Sequence, residues 1–215
     1  MSTDAPSAEA PDVPPHARVA VVAARFNQKI VDELLAGCLR RLTQHGITED
    51  RVEVHRVPGA FELPVAAKVL AGTGSFHAIV CLGCVIRGDT PHFDYVAGEA
   101  ARGIQQVAVT EGLPVIFGVL TTNTEEQALQ RTGGSHGHAG ERAADAAAEM
   151  IALVAKVAGG ADAQPQQQVA VGPQQTAPRV PNRYKARRPP IAPPQSSTSK
   201  PDPFFASLIN QQRGG

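Results

Sequence analysis

The chain has no tryptophan, two tyrosines and seven phenylalanines, so aromatics make up only 4% of its 215 residues. With 42% hydrophobic residues, alanine, valine and glycine must build its interior. Three cysteines, Cys38, Cys81 and Cys84, are too few for a disulfide scaffold and fit a reducing compartment. Apolar runs of about 18 residues, the length a membrane-spanning helix needs, do not occur. The opening "MSTDAPSAEAPDVPPHAR" lacks an apolar core segment. No secretory signal is therefore expected, and the cytoplasm is the expected compartment. No GxGxxG or P-loop pattern is present, which leaves nucleotide binding with little support. Cys81 and Cys84 have C-x-x-C spacing, but they sit inside a hydrophobic β-like run. No second Cys/His pair with metal spacing accompanies them, so they are expected to be plain strand residues and not a zinc or redox motif.

Net charge is absent only in sum. From Gly159 onward the chain holds ten of its 18 prolines and many Gln and Ser, with seven Lys and Arg against Asp162 and Asp202. That stretch carries +5 and leaves −5 on the rest. Its composition buries too little apolar surface to offset the entropy of ordering, so residues 159–215 are expected to be a disordered, basic tail. Residues 1–17 are expected to be a disordered extension too, leaving 18–158 as the folded body. Within the tail, "DPFFASLIN" (202–210) is an apolar island. Phe204, Phe205, Leu208 and Ile209 fall on roughly one side of a two-turn helix, the form of a groove-docking peptide. Neither nucleic acid nor membrane is an expected partner.

The body alternates two periods. "RVAVVAARF" (18–26), "RVEVHRV" (51–57), "AIVCLGCVI" (78–86) and "PVIFGVL" (114–120) are short, continuous apolar or β-branched runs, as expected of strands. Between them lie helical stripes. The first runs through Ile30, Leu34, Leu35, Cys38 and Leu42, with Asn27 as its expected N-cap and Gly46 as its C-terminal stop. A turn and helix follow Pro58, and a longer helix runs from Thr90 to about Glu111. A short helix follows the Thr and Asn caps near 121–124, and a last one begins at Glu141 after the glycine-rich "GGSHGHAG". The pattern predicts a three-layer α/β/α sandwich around a four-stranded parallel sheet. Ligands in such folds collect beyond the carboxyl ends of the strands.

The chemically unusual residues fall at those ends. "RGDTPHFDYV" (87–96) follows the third strand. Its Arg-Gly-Asp resembles an adhesion tripeptide, but a strand end in a chain without a signal peptide is a poor place for one. His92 is either a structural turn residue or a proton-transfer group, since imidazole titrates near neutral pH. Phe26 and Phe61 directly follow two strands, where a phenylalanine is either a packing plug or a stacking surface for a flat heterocycle. Glu62 either favours a helix start or accepts from donors on a polar ring. Arg131 is either solvated or a bidentate clamp on an anion.

Together "ARFN", "VPGAFELP", "LGCVIRGDTPHFDYV", "PVIFGVLTTNTEEQALQR" and the closing helix occur in this order at the expected strand ends. Over about residues 18–158 the chain closely resembles the 6,7-dimethyl-8-ribityllumazine synthases of riboflavin biosynthesis. The resemblance implies a flavodoxin-like sheet and an enzyme without metal or redox cofactor. It implies condensation of 5-amino-6-(D-ribitylamino)uracil with 3,4-dihydroxy-2-butanone 4-phosphate, with loss of phosphate and water. Phe26 would stack on the pyrimidine, Ala60, Phe61 and Glu62 would line the ring and ribityl site, and Cys84, Val85 and Ile86 would offer backbone contacts. Asp89 and Thr90 would meet the phosphorylated ketone, and His92 would give and take protons. Phe117 and Arg131 would come from a neighbouring subunit, Arg131 holding the phosphate. The resemblance implies a homopentamer with sites between subunits; some members build a 60-subunit shell. The 202–210 island is then either a docking segment for a neighbouring enzyme of the pathway, such as riboflavin synthase, or a fragment with no partner.

One departure bears on activity. The family commonly has a lysine after the arginine, in an "NKG"-like stretch; here the stretch is "HAG" and Ala139 takes that place. His138 or Arg142 would have to replace the cation, or the phosphate site is weaker. The alternative from another class is a catalytically weak shell or scaffold protein of the same fold that binds a flavin-like ligand.

Overall fold

The computed structural model describes residues 11–160. The first ten residues and the tail from 161, with its 202–210 island, lie outside the described residues. The body folds in the order β1 (Val19–Ala24), α1 (Gln28–Gln44), β2 (Val52–Val57), α2 (Leu63–Ala71), β3 (Ala78–Ile86), α3 (His92–Glu111) and β4 (Val115–Thr122). It continues through α4 (Glu125–Leu129), β5 (Thr132–Gly134), β6 (Gly137–His138) and α5 (Ala139–Gly160). Among the described residues no helix is long and apolar enough to cross a membrane.

The four long strands form one parallel sheet in the order β2-β1-β3-β4. The alternating pattern predicts this parallel sheet between two helical layers, and its strand order is the flavodoxin-like one that the resemblance implies. Its two faces are separately filled. On one, Val19, Val21, Ala23, Val80 and Leu82 pack against Leu34, Cys38 and Leu42 of α1 and Ala144, Ala147 and Ile151 of α5. On the other, Ala20, Val22, Ile79 and Cys81 pack against Leu63 and Ala67 of α2 and Ala100 and Ile104 of α3. Every residue of β1 is buried, which explains why this central strand is almost wholly Val and Ala. A strand covered on both faces has no polar side to show. Each fully buried Leu or Ile adds about 1.5–3 kcal/mol of transfer free energy.

The turn chemistry is partly as the sequence predicts. Gly46 has φ 80 and comes just after His45, the C-cap of α1, while the Ile47 amide donates to the Leu42 carbonyl. That is the left-handed stop that glycine supplies without a Cβ penalty. Asn27 departs from expectation. It precedes α1 but has φ 55 and ψ 44, and its side chain caps nothing. Its Nδ2 instead donates to the Cys84 carbonyl at 2.9 Å, tying the β1 loop to the end of β3. The glycine-rich "GGSHGHAG" also departs from a plain loop, forming the small antiparallel pair β5–β6. At the N-terminus, Ala17 is buried and Val13 packs against the core, so residues 11–17 touch the body.

Candidate active site

The chain runs outward from β1 to β2, then returns across β1 to build β3 and β4. The strand order thus reverses between β1 and β3, and helices leave on opposite sides of that point. The gap beyond their carboxyl ends is where open α/β sheets bind ligands. Here it is a cleft of about 650 Å³. Phe26 comes from the loop after β1, Ala60, Phe61 and Glu62 from the turn after β2. Cys84, Val85 and Ile86 form the end of β3, and Thr90 and His92 lie beyond it. All nine were singled out in the sequence. The structure adds Pro58, Gly59 and Gly88 from the same loops, and Phe93, Tyr95 and Val96 from the start of α3. These last three carry no chemical signal of their own; only their distance from His92 along a helix turn could have marked them.

Two aromatic rings dominate one wall, and both are left open. Phe26 is 72% exposed and Phe61 58%. A phenylalanine that plugs a core is buried, so neither ring plugs the core of this chain. Glu62 is tied into the turn and also lines the cleft. Its Oε2 accepts from the Gly59 amide at 2.9 Å, closing the turn, and the residue still faces the cleft. His92 opens α3 and is exposed. Among the described residues it makes no side-chain hydrogen bond, nor do Asp89 and Thr90.

Three candidates lie outside this cleft: Asp89, Phe117 and Arg131. Phe117 sits mid-way along the edge strand β4, 43% exposed. Arg131 follows α4, where its Nη1 donates to the Gln127 carbonyl at 2.7 Å. The two residues considered as stand-ins for a lysine at Ala139 are engaged elsewhere. The His138 ring packs over Gly37 of α1, so closely that a Cβ there would lie 2.1 Å from the imidazole. Burial lowers the pKa of His138 and favours its neutral form. Arg142 donates from Nη1 to the His136 carbonyl at 3.0 Å.

The C-x-x-C pair is inert. Residues three apart on a strand point to opposite faces, and accordingly Cys81 joins the α2/α3 core while Cys84 joins the α1/α5 core. Burial pushes the Cys81 thiol up to about 12. Burial, with help from the Glu125 charge, pushes Cys84 up to about 11. Neither forms the thiolate that redox or metal chemistry needs near neutral pH.

A switch-point cleft with an open aromatic wall, a carboxylate and a free imidazole suits a flat heterocycle undergoing proton transfer. Comparison with known families agrees: the model of the 6,7-dimethyl-8-ribityllumazine synthase family matches residues 16–155. That span is most of the described body and includes every residue of the cleft. The chain belongs to the 6,7-dimethyl-8-ribityllumazine synthase family, transferases of riboflavin biosynthesis.

Proposed function

We propose that the body, residues 18–158, condenses 5-amino-6-(D-ribitylamino)uracil with 3,4-dihydroxy-2-butanone 4-phosphate to give 6,7-dimethyl-8-ribityllumazine. The observation that carries this reading is the cleft itself, which gathers Phe26, Ala60, Phe61, Glu62, Cys84, Val85, Ile86, Thr90 and His92 at the switch point. The pyrimidine stacks on Phe26, and Glu62 accepts from its polar edge through the carboxylate oxygen not used by Gly59. Backbone groups at Cys84, Val85 and Ile86 fix the ring in plane.

The chemistry is a series of proton movements. The primary amine adds to the ketone carbonyl, and loss of water leaves an imine. Removing the proton from the adjacent carbon lets phosphate leave, and the enol formed returns to a ketone. The second amine closes the ring on that carbonyl with loss of another water. Each step needs a proton given or taken near one carbon framework, which the imidazole of His92 does in turn. Alignment of two bound substrates supplies much of the acceleration, so no strong nucleophile is required.

Asp89 and Thr90 meet the phosphorylated ketone, and Arg131 and Phe117 reach the site from a neighbouring subunit of a homo-oligomer. The open wall formed by Phe26 and Phe61 supports this, because a second copy pressed against it would cover both rings. The test is direct. The full-length chain, mixed with the two substrates, is expected to form the lumazine, followed by absorbance, with equimolar phosphate release. A folded protein that releases neither product would overturn the reading.

A further inference from the structure

We infer that Arg87 is a positioning residue: it holds the first turn of α3 so that His92 faces the cleft. The inference rests on the proposed role of His92. The stretch that carries His92 has little packing to fix it. Residues 87–92 are all exposed, and a Cβ added at Gly88 would meet nothing within 4 Å. Within the turn the Asp94 amide donates to the Pro91 carbonyl at 3.0 Å, and the side chain that ties the turn to its surroundings is the Arg87 guanidinium. Arg87 grips Asp94 with both ends of its fork, Nη2 to Oδ1 at 2.9 Å and Nη1 to Oδ2 at 3.3 Å. Its plane lies over the Phe93 ring, with the central carbon 4.1 Å from the ring centroid. Its Nε donates to the Asn123 Oδ1 at 3.2 Å, and its amide to the Thr122 carbonyl at 2.9 Å.

Arg87 therefore spans three pieces of backbone: the end of β3, the loop after β4, and the two residues that follow His92. An exposed ion pair contributes little to global stability, but that is not the quantity at issue. A planar fork with a stacked face fixes direction as well as distance, which an ammonium cannot do. Phe93 also lines the cleft, so the stacked ring transmits that constraint to the site wall. Proton transfer is sensitive to displacement on the ångström scale, where misplacement can cost as much as about 100-fold.

The test is a kinetic double-mutant cycle in the full-length chain. Arg87→Gln and Arg87→Lys are each expected to lower kcat roughly 10- to 100-fold, with KM for the pyrimidine within about twofold and the melting temperature nearly unchanged. Asp94→Asn, which leaves Arg87 in place, is expected to lower kcat in the same direction. In a His92→Ala background, Arg87→Gln should cost nothing further, because a positioning residue has nothing left to position. Two outcomes overturn the inference while leaving the proposed reaction intact. One is full kcat in Arg87→Gln; the other is an equal loss with and without His92. If instead His92→Ala keeps full turnover, the reading on which the inference rests has failed.

Discussion

Two regions of this chain use the same residue types in opposite ways. At the α1–α5 corner, charged side chains pair across the two helices. Asp145 Oδ1 accepts from Arg41 Nε at 2.6 Å and pairs with His45 Nε2 at 2.7 Å. Burial opposes ionisation of that carboxyl, yet Arg41 and His45 together hold its pKa below the usual value. His138 lies on Gly37, and a Cβ at Gly140 would sit 2.0 Å from the Leu34 carbonyl oxygen. In the strand-end cleft, by contrast, Phe26, Phe61 and His92 are exposed, and among the described residues the imidazole has no partner. His45, His77 and His138 are committed to folding, His92 is not. What separates a structural histidine from a candidate catalyst here is engagement, which residue type alone does not reveal.

The sharpest way to break the corner is Gly140→Ala. Its Cβ meets backbone, not a flexible side chain, so α1 and α5 must move apart. The expected loss is about 3 kcal/mol, read from chemical denaturation. An unchanged midpoint would show that the helices do not cross as described. On the cleft side, Arg131→Ala is expected to raise KM for the phosphorylated ketone roughly 10- to 100-fold, the worth of a charge-assisted hydrogen bond to an anion. KM for the pyrimidine should stay put; equal effects on both substrates would remove Arg131 from the phosphate.

Asp145→Asn should cost about 1 kcal/mol of stability with no change in turnover. Lost turnover at unaltered stability would erase the distinction between corner and cleft. The smallest effect concerns pH. Burial first, then the nearby His16, lowers the pKa of His77, whose Nδ1 accepts from the Arg18 amide at 3.0 Å. Burial likewise lowers His138. The stability these two contribute is present above about pH 6.5, the value in the unfolded chain. It is lost as pH falls through their lower folded-state values. The melting temperature should therefore drop between pH 7.5 and 5.5, and drop less in His77→Asn, which keeps an acceptor for Arg18.

Much of the fold was legible because parallel strands covered on both faces must be continuous apolar runs, and "RVAVVAARF" and "AIVCLGCVI" are such runs. Gly46 announced its turn for the same local reason. The β5–β6 pair was not legible: a three-residue and a two-residue strand of Gly, Thr and His leave no period to detect. Asn27 has the right type and place for a helix cap, and only the approach of β3 diverts its amide to Cys84. In the cleft, residues marked by chemistry or by motif could be named in advance. Tyr95 and Val96 could not, since they reach the cleft through the direction of α3. The Arg87 fork was hidden in the same way, because Asn123 becomes its neighbour only when β3 pairs with β4.

The central claim is that the unengaged imidazole in the cleft performs the proton transfers of lumazine formation. The most direct test measures kcat for His92→Ala beside the parent chain, with melting temperature recorded on the same samples. The account predicts a fall of about 10²- to 10⁴-fold, with the melting temperature within about 2 °C because the side chain is exposed. Parent-level turnover in the folded variant would contradict it.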